Sequence, residues 1–207
     1  MTPQAIRQIL ESYRSPLPIG IEANVQKYMD LMKLWGRKMS LTSVREPEEI
    51  VRLHFGESIF ALSVAKFEES RLADVGTGAG FPGLALKLVV PELQVTLIEP
   101  NKKKCAFLHE VVRALGLRDV TILPSTYEAS GMTKNSLTII TCRALGVDKR
   151  VLSWSRDVLN PSGMLVLWVG HDDSEKIRGT DGWSWSDAAL IPGTKGRYIL
   201  VGRPIKS

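Results

Sequence analysis

The stretch D-V-G-T-G-A-G-F-P-G, residues 74–83, decides the fold of this chain. An apolar run, Leu72–Val75, leads into it, and a helical pattern, Pro82–Val90, follows it. The first glycine permits a tight turn, and Gly78 and Gly80 let the backbone approach a ligand closely. A glycine-rich turn between a strand and a helix predicts an open α/β sheet with a ligand at its carboxyl edge.

The residues around these glycines favour one class of ligand. Gly76, Gly78 and Gly80 form Gly-x-Gly-x-Gly, whereas dinucleotide sites have Gly-x-Gly-x-x-Gly. Pro82 removes an amide donor that a phosphate would need, and Asp74 would repel a phosphate. An acid at this place suits a ligand with an ammonium group. The motif therefore predicts an S-adenosylmethionine site in which Asp74 and the three glycines contact the cofactor, Asp74 at its amino-acid end; a glycine-rich turn without ligand is the alternative.

The next apolar run, Val95–Ile98, ends at Glu99, which follows Gly76 by 23 residues. This spacing is near the ~20 residues at which an acid binds ribose hydroxyls. A carboxylate can accept hydrogen bonds from both hydroxyls of a vicinal diol. We therefore predict that Glu99 holds the cofactor ribose, the alternative being a solvated glutamate. Glu99→Gln should do less damage than Glu99→Ala, because an amide oxygen still accepts.

Apolar runs and helical patterns alternate after residue 70. Three further runs and two further helical patterns are Val120–Leu123, Leu137–Thr141, Met164–Val169, Lys102–Leu115 and Val147–Leu159. This alternation predicts βαβ units and a mostly parallel sheet. Two β-like runs around a Pro-Gly turn, at 188–191 and 198–201, predict an antiparallel C-terminal hairpin, which brings the sheet to seven strands.

The apolar residues before residue 70 recur with helical periodicity. An amphipathic stripe runs from Glu22 to Met39, a shorter helix lies near residues 4–12, and a third helix starts at Glu46 and runs through Phe55. We therefore predict two parts: a helical extension over residues 1–70 and one compact methyltransferase domain over residues 71–207.

Composition excludes several classes of protein. The chain has 207 residues, of which 44% are apolar and 24% charged, a balance unlike collagen-like, low-complexity or disordered chains. Its two cysteines, Cys105 and Cys142, have no C-x-x-C spacing, which argues against a disulfide framework and a structural zinc site. The start resembles no signal peptide, and no apolar run approaches ~18 residues. We therefore expect a cytoplasmic monomer with no metal and no membrane association.

The net charge of +5 lies in the later part of the chain. Residues 1–70 hold nine basic and nine acidic residues, and the remainder holds 18 and 13. A basic excess suits a polyanionic partner such as nucleic acid. Lys102, Lys103 and Lys104 begin a helix, where they oppose its dipole, so phosphate contact and a solvated first turn both remain open.

Two more loops follow predicted strands at the same edge. One is Ser125–Glu128, and the other carries Arg143, where the methyl acceptor must meet the cofactor. Arg143 can position a phosphate or base edge, brace the cofactor loop, or pair with an acid such as Asp74. His54, without a metal constellation around it, is interpreted as structural. Trp183 and the neighbouring Trp185 either stack on RNA bases or, as we favour, pack against the hairpin.

Together these motifs resemble the bacterial small-subunit rRNA (guanine-N7)-methyltransferases, the glucose-inhibited division protein B family. The resemblance runs from about Tyr28 to Arg203. It rests on LTSVREPEEIVRLHFGES, DVGTGAGFPGLAL, IEPNKKKCAFL, TCRALG and GRYILV. It implies a Rossmann-like methyltransferase sheet and methyl transfer from S-adenosylmethionine to N7 of a guanine in 16S rRNA. The cofactor contacts it implies fall on Gly76, Phe81, Tyr127, Glu128 and Arg143, and we add Lys102, Lys103, Lys104 and Arg197 as candidate RNA contacts.

The chain departs from the family pattern at four positions. The family usually has Asn at Ser40, Asp at Glu57, Arg at Thr126 and Lys at Val169. The last two differences remove positive charge from the RNA side. They motivate a second hypothesis, a non-catalytic ribosome- or RNA-binding module with a vestigial cofactor fold. A methyltransferase with a non-RNA substrate is a third.

The implied reaction needs no proton-transfer residue. N7 of guanine has a free lone pair at neutral pH, so no general base has to act. Catalysis would depend on placing N7 in line with the methyl carbon. We accordingly assign Arg143 to positioning and none of the residues to acid–base catalysis.

Overall fold

The computed structural model describes residues 1–67, 70–143 and 149–205. Helices precede the first strand, as predicted. They are α1 (Pro3–Glu11), α2 (Ile21–Trp35), α3 (Pro47–Ile50), a π-helical segment (Val51–Gly56), α4 (Glu57–Ile59) and α5 (Ala61–Val64). The predicted third helix is thus not a uniform α-helix, because its middle is wound as a π-helix. Within the described ranges, no helix is long and apolar enough to cross a membrane.

The rest of the described chain forms one sheet with helices between its strands. The strands are β1 (Arg71–Val75), β2 (Gln94–Ile98), β3 (Val120–Leu123), β4 (Leu137–Arg143), β5 (Leu159–Gly170), β6 (Trp183–Trp185), β7 (Ala189–Leu190) and β8 (Arg197–Pro204). The helices are α6 (Gly83–Val89), α7 (Lys102–Leu115), α8 (Lys149–Val158) and α9 (His171–Arg178). The start of the predicted helix Val147–Leu159 lies outside the described residues.

The sheet order is β3-β2-β1-β4-β5-β8-β6, with β7 also paired to β8. The first five strands are parallel, and the last three pairings are antiparallel. The predicted fold class and the C-terminal hairpin are therefore confirmed. The described sheet has eight strands where seven were predicted, because the three residues of β6 are too short to show a period in the sequence.

Tryptophan packing explains the additional strand. Trp183 is buried, and its ring stacks on Trp185 at 5.2 Å between centroids. Trp185 lies over Gly202, where a Cβ would come within 2.3 Å of the indole. The interpretation that these rings pack on the hairpin is therefore confirmed.

The helical extension and the sheet share a hydrophobic core. Tyr28 and Phe55 from the extension belong to the same buried cluster as Leu72 of β1 and Leu84 of α6. The extension therefore covers one face of the sheet, next to the glycine-rich loop. The division of the chain at residue 70 stays a prediction about its organisation.

Candidate active site at the carboxyl edge of the sheet

The strand register brings the predicted site residues to one edge. Val75, the last residue of β1, lies beside Ile98 of β2 on one side and Cys142 of β4 on the other. Glu99 follows β2 directly, and Arg143 ends β4. Open α/β sheets bind ligands at such an edge, where neighbouring connections leave a crevice.

The glycines of the loop have different roles. Gly76, Gly78 and Gly80 have φ angles of +67°, +59° and +92°, a region that side chains rarely adopt. A Cβ on Gly80 would lie 2.2 Å from the Tyr28 hydroxyl, so this glycine allows close packing. Among the described residues, the nearest atom to a Cβ on Gly78 would be the Gly76 carbonyl oxygen, at 3.9 Å. Gly78 is thus the position at which a ligand can approach the backbone.

Glu99 joins the glycine loop to the start of α7. Its two carboxylate oxygens accept hydrogen bonds from the Gly78 and Asn101 amides, each at 2.9 Å. A carboxylate has about four acceptor positions, so this arrangement leaves acceptors for ribose hydroxyls. The ribose contact stays a prediction. The structure adds that Glu99 also fixes the loop on which the cofactor would lie.

Asp74 lies beneath the glycine loop, at the end of β1. It is fully buried, and its carboxylate accepts hydrogen bonds from the Thr77 hydroxyl at 2.5 Å, the Thr141 hydroxyl at 2.8 Å and the Gly83 amide at 2.9 Å. These donors hold the loop and β4 together from beneath. In this arrangement Asp74 braces the loop from below, and its contact with the cofactor ammonium stays a prediction.

The pH dependence of stability tests this role of Asp74. Burial raises the pKa of this carboxyl from 3.8 to about 6. Because the folded pKa is the higher one, the stabilisation from its proton is complete below about pH 4 and is lost as the pH rises through 6. Asp74→Asn carries no charge, so its stability relative to wild type should improve by up to about 3 kcal/mol between about pH 4 and about pH 8.

Denaturant unfolding across this pH range measures the effect. The exposed Asp157 provides the control, since Asp157→Asn should leave the pH profile parallel to that of wild type. Parallel profiles for Asp74→Asn and wild type would show that the Asp74 carboxyl is not the buried acid that the geometry implies.

A cavity of about 250 Å³ lies beside the loop, between the ends of β1 and β2 and the loop after β3. Tyr127 and Glu128 line it, as the predicted cofactor contacts require, and Tyr127 is held by the Trp154 ring at 5.3 Å. Hydrogen bonds from its own backbone amide and Thr126 lower the pKa of Glu128, which is therefore ionised. The Ser125 hydroxyl lines the same cavity and is buried, with no hydrogen-bond partner among the residues that the structure describes.

These features fit the nucleoside part of S-adenosylmethionine. The cavity offers apolar walls, an unused hydroxyl at Ser125 and the spare acceptors of Glu99. Ligand sites typically combine such walls with a few fixed polar groups. Within the described residues, no group of three or more His, Cys, Asp or Glu side chains is placed to hold a metal ion.

Arg143 binds the π-helical segment rather than Asp74. Its guanidinium donates to the carbonyls of Leu53 and His54 and to the Ser58 hydroxyl, and it pairs with Glu57 at 3.4 Å. A side chain that takes carbonyls of the helical ladder is a known cause of irregular winding. Of the alternatives for Arg143, the structure shows an ion pair with an acid, which is Glu57 and not Asp74, and the segment that Arg143 braces is Leu53–Ser58 and not the cofactor loop. Its role in positioning substrate or cofactor stays a prediction.

Glu57 is shared by two arginines. Its side chain is 2% exposed, and its other oxygen lies 2.7 Å from the Arg197 guanidinium. Burial raises the pKa of Glu57, while Arg143 and then Arg197 lower it. Arg197 is half-exposed and engaged by this carboxylate, and its contact with RNA stays a prediction.

A column of three rings ends at this edge. Tyr28 and Phe81 stack at 5.2 Å with 17° between planes, and Phe81 and His54 stack at 5.0 Å with 21°. The His54 Nε2 lies 2.7 Å from the Thr42 hydroxyl. Burial, and after it the charge of Arg143, lower the pKa of His54 to about 4, so the ring is neutral at physiological pH.

Sequence reasoning missed this column. His54 was interpreted as structural, and Thr42 was not singled out. Phe81 was singled out only through the family resemblance. Its side chain is 8% exposed, and its contact with the cofactor stays a prediction. The only signal in the sequence was that LTSVREPEEIVRLHFGES, which holds Thr42 and His54, carries much of the resemblance.

The three lysines lie at the first turn of α7. The Asn101 side chain caps this helix by accepting from the Lys103 and Lys104 amides at 2.9 and 3.2 Å. Lys102 and Lys103 are exposed, and no ion pair involves them in the described part of the chain. They follow Glu99 by only a few residues in the chain. Their contact with RNA stays a prediction.

Comparison with known proteins shows which family the chain is similar to. Residues 21–187 match the family described as rRNA small subunit methyltransferase G. The protein of that name from Acetivibrio thermocellus is 34% identical over 72% of this chain, which covers 62% of that protein, less than two thirds of its length. Its namesake from Xanthomonas oryzae is 33% identical, over 90% of this chain and 89% of that one.

A solved S-adenosylmethionine-dependent methyltransferase from Aquifex aeolicus has the same fold. It superposes with a TM-score of 0.63 at 17% identity, covering 84% of this chain and 97% of that one. The Rossmann-like methyltransferase fold is thereby established independently of the sequence motifs.

Proposed function

This chain belongs to the rRNA small subunit methyltransferase G family, and we propose that it transfers the methyl group of S-adenosylmethionine to N7 of a guanine in 16S ribosomal RNA. One observation carries the proposal: Arg143 at the end of β4 binds the segment Leu53–Ser58. This contact joins the helical part of the family match to the edge of the sheet that holds the glycine loop. The contact supports a site that is bordered both by the predicted cofactor loop and by the segment Leu53–Ser58.

The proposed reaction requires the side chains only to position the cofactor and the guanine. Bound S-adenosylmethionine would supply a methyl group activated by its sulfonium charge. Gly78 and Glu99 would hold the cofactor, and Arg143 would fix the segment that faces the acceptor. Because guanine N7 carries its own lone pair, the site needs no base, and proximity and orientation supply the rate.

The partner we propose is 16S rRNA, free or within the small ribosomal subunit, and the protein acts as a cytoplasmic monomer. The net charge of +5, all of it after residue 70, supports a polyanionic partner. The unused Ser125 hydroxyl and the spare acceptors of Glu99 support a working cofactor pocket over a vestigial one.

Mass spectrometry of 16S rRNA from a strain lacking the gene tests the proposal. We expect one 7-methylguanine to be lost and to return when the purified protein and S-adenosylmethionine are added. Calorimetry with the cofactor should show binding. Absence of binding would favour the vestigial module, and binding without methylation of rRNA or subunits would favour a different substrate.

A further inference from the structure

We propose that the face of the His54 ring opposite Phe81 is the platform on which the target guanine stacks, an inference that rests on the proposed function. The Tyr28–Phe81–His54 column starts in the core with Tyr28, which is fully buried. It ends at His54, which is partly exposed. Within the described residues, Phe81 is the only ring recorded against His54, so one face of the imidazole has no aromatic partner.

The platform lies where the acceptor has to be. Arg143 ends β4, next to the glycine loop that follows β1, and its guanidinium binds the His54 carbonyl at 3.5 Å. His54 is therefore tied to the edge where the methyl group would be presented. An extruded base is commonly held by stacking on a side-chain ring.

The ring is fixed in orientation and charge. The Thr42 hydroxyl holds Nε2 at 2.7 Å, and Phe81 supports the inner face. Burial keeps the imidazole uncharged at neutral pH. Methylation at N7 makes the purine cationic, and a neutral ring accepts a cation on its face where an imidazolium would repel it.

Space for the rest of the nucleotide lies next to the ring. Thr42 also lines a cavity of about 610 Å³ between α2 and residues 36–50. Its lining includes three basic side chains, Lys33, Arg37 and Arg45, along with Asp30. None of these basic groups is engaged in a recorded ion pair within the described residues, so they can accept the phosphates that flank the guanine.

A matched pair of variants tests the platform. His54→Leu keeps an apolar side chain but removes the ring, whereas His54→Phe keeps the ring. With saturating S-adenosylmethionine, His54→Leu should lower kcat/KM for rRNA or subunits on the order of tenfold to a hundredfold. His54→Phe keeps the ring and loses only the hydrogen bond to Thr42, so its loss should match the smaller loss of Thr42→Val. The calorimetric Kd of the cofactor should change less than about threefold in both.

Two further variants complete the test. His109→Leu makes the same substitution at an exposed histidine of α7 and should behave as wild type. Thr42→Val keeps the ring but removes the hydroxyl that orients it, so kcat/KM should fall by about threefold to tenfold even if His54→Leu does not fold.

Several results would overturn the platform alone. They are full activity of His54→Leu, equal damage from His54→Phe and His54→Leu, or a loss that follows weaker cofactor binding, which would mean that His54 only supports Phe81. Failure of the wild-type protein to methylate rRNA would instead remove the proposed function, and the platform with it.

Discussion

Glu99→Ala is expected to weaken S-adenosylmethionine binding at least about tenfold, since hydrogen bonds to a charged acceptor are worth roughly 1.5–3 kcal/mol each. Two ribose bonds would be lost. The same change releases the Gly78 and Asn101 amides, each now held at 2.9 Å, so the loop would also lose its anchor to α7. Both effects act on the cofactor, and rRNA affinity should barely change.

The structure revises the expectation for Glu99→Gln. From the sequence, an amide oxygen that still accepts should limit the damage. Both carboxylate oxygens, however, accept from a backbone N–H. The NH₂ of glutamine would therefore face either the Gly78 or the Asn101 donor, and a donor facing a donor is an unmade hydrogen bond. We now expect Glu99→Gln to approach Glu99→Ala in cofactor affinity.

Calorimetric titration of the cofactor and filter binding of rRNA measure these effects. The exposed Glu92 supplies the control, since Glu92→Ala and Glu92→Gln should leave both affinities unchanged. Unchanged cofactor affinity in a folded Glu99→Ala protein would remove the main support for a cofactor across β1 and β2.

Glu57→Ala is expected to destabilise the protein by about 3 kcal/mol, the lower end of the cost of breaking a buried ion pair. The lower end applies because Arg197 is half exposed and can turn to solvent, whereas the Arg143 side chain is 16% exposed. Without the carboxylate, Arg143 loses its partner beside the positive charge of Arg197. The melting temperature should fall by roughly 6–12 °C for a chain of this size.

Thermal unfolding monitored by circular dichroism tests this prediction. Glu48→Ala is the matched control, because Glu48 pairs with Arg52 at 2.9 Å on the surface and such pairs contribute about 1 kcal/mol or less. Equal melting temperatures for the two variants would show that the buried Glu57 pair contributes no more to stability than the surface pair of Glu48. Methylation activity should fall with Glu57→Ala even at temperatures where it is folded, since Arg143 would lose one of the groups that hold it against the segment Leu53–Ser58.

The sequence alone determined the framework of the site. Apolar runs such as Val95–Ile98 and the helix Lys102–Leu115 lie where their periodicity placed them. The glycine-rich turn and Glu99 reach one edge because parallel strands end on the same side of a sheet. These features depend on the local spacing of residues and on general backbone geometry, and the sequence is sufficient to predict both.

Only the tertiary structure decided which side chains meet. Asp74 lies at a strand end, where the sequence suggested a ligand contact, yet Thr141 from 67 residues away turns it into a buried brace. Arg143 pairs with Glu57 across 86 residues and also binds the carbonyls of Leu53 and His54, within the segment that is wound as a π-helix. Such pairings are set by which groups lose water together when the extension packs on the sheet, and desolvation of this kind leaves no periodic pattern in the sequence.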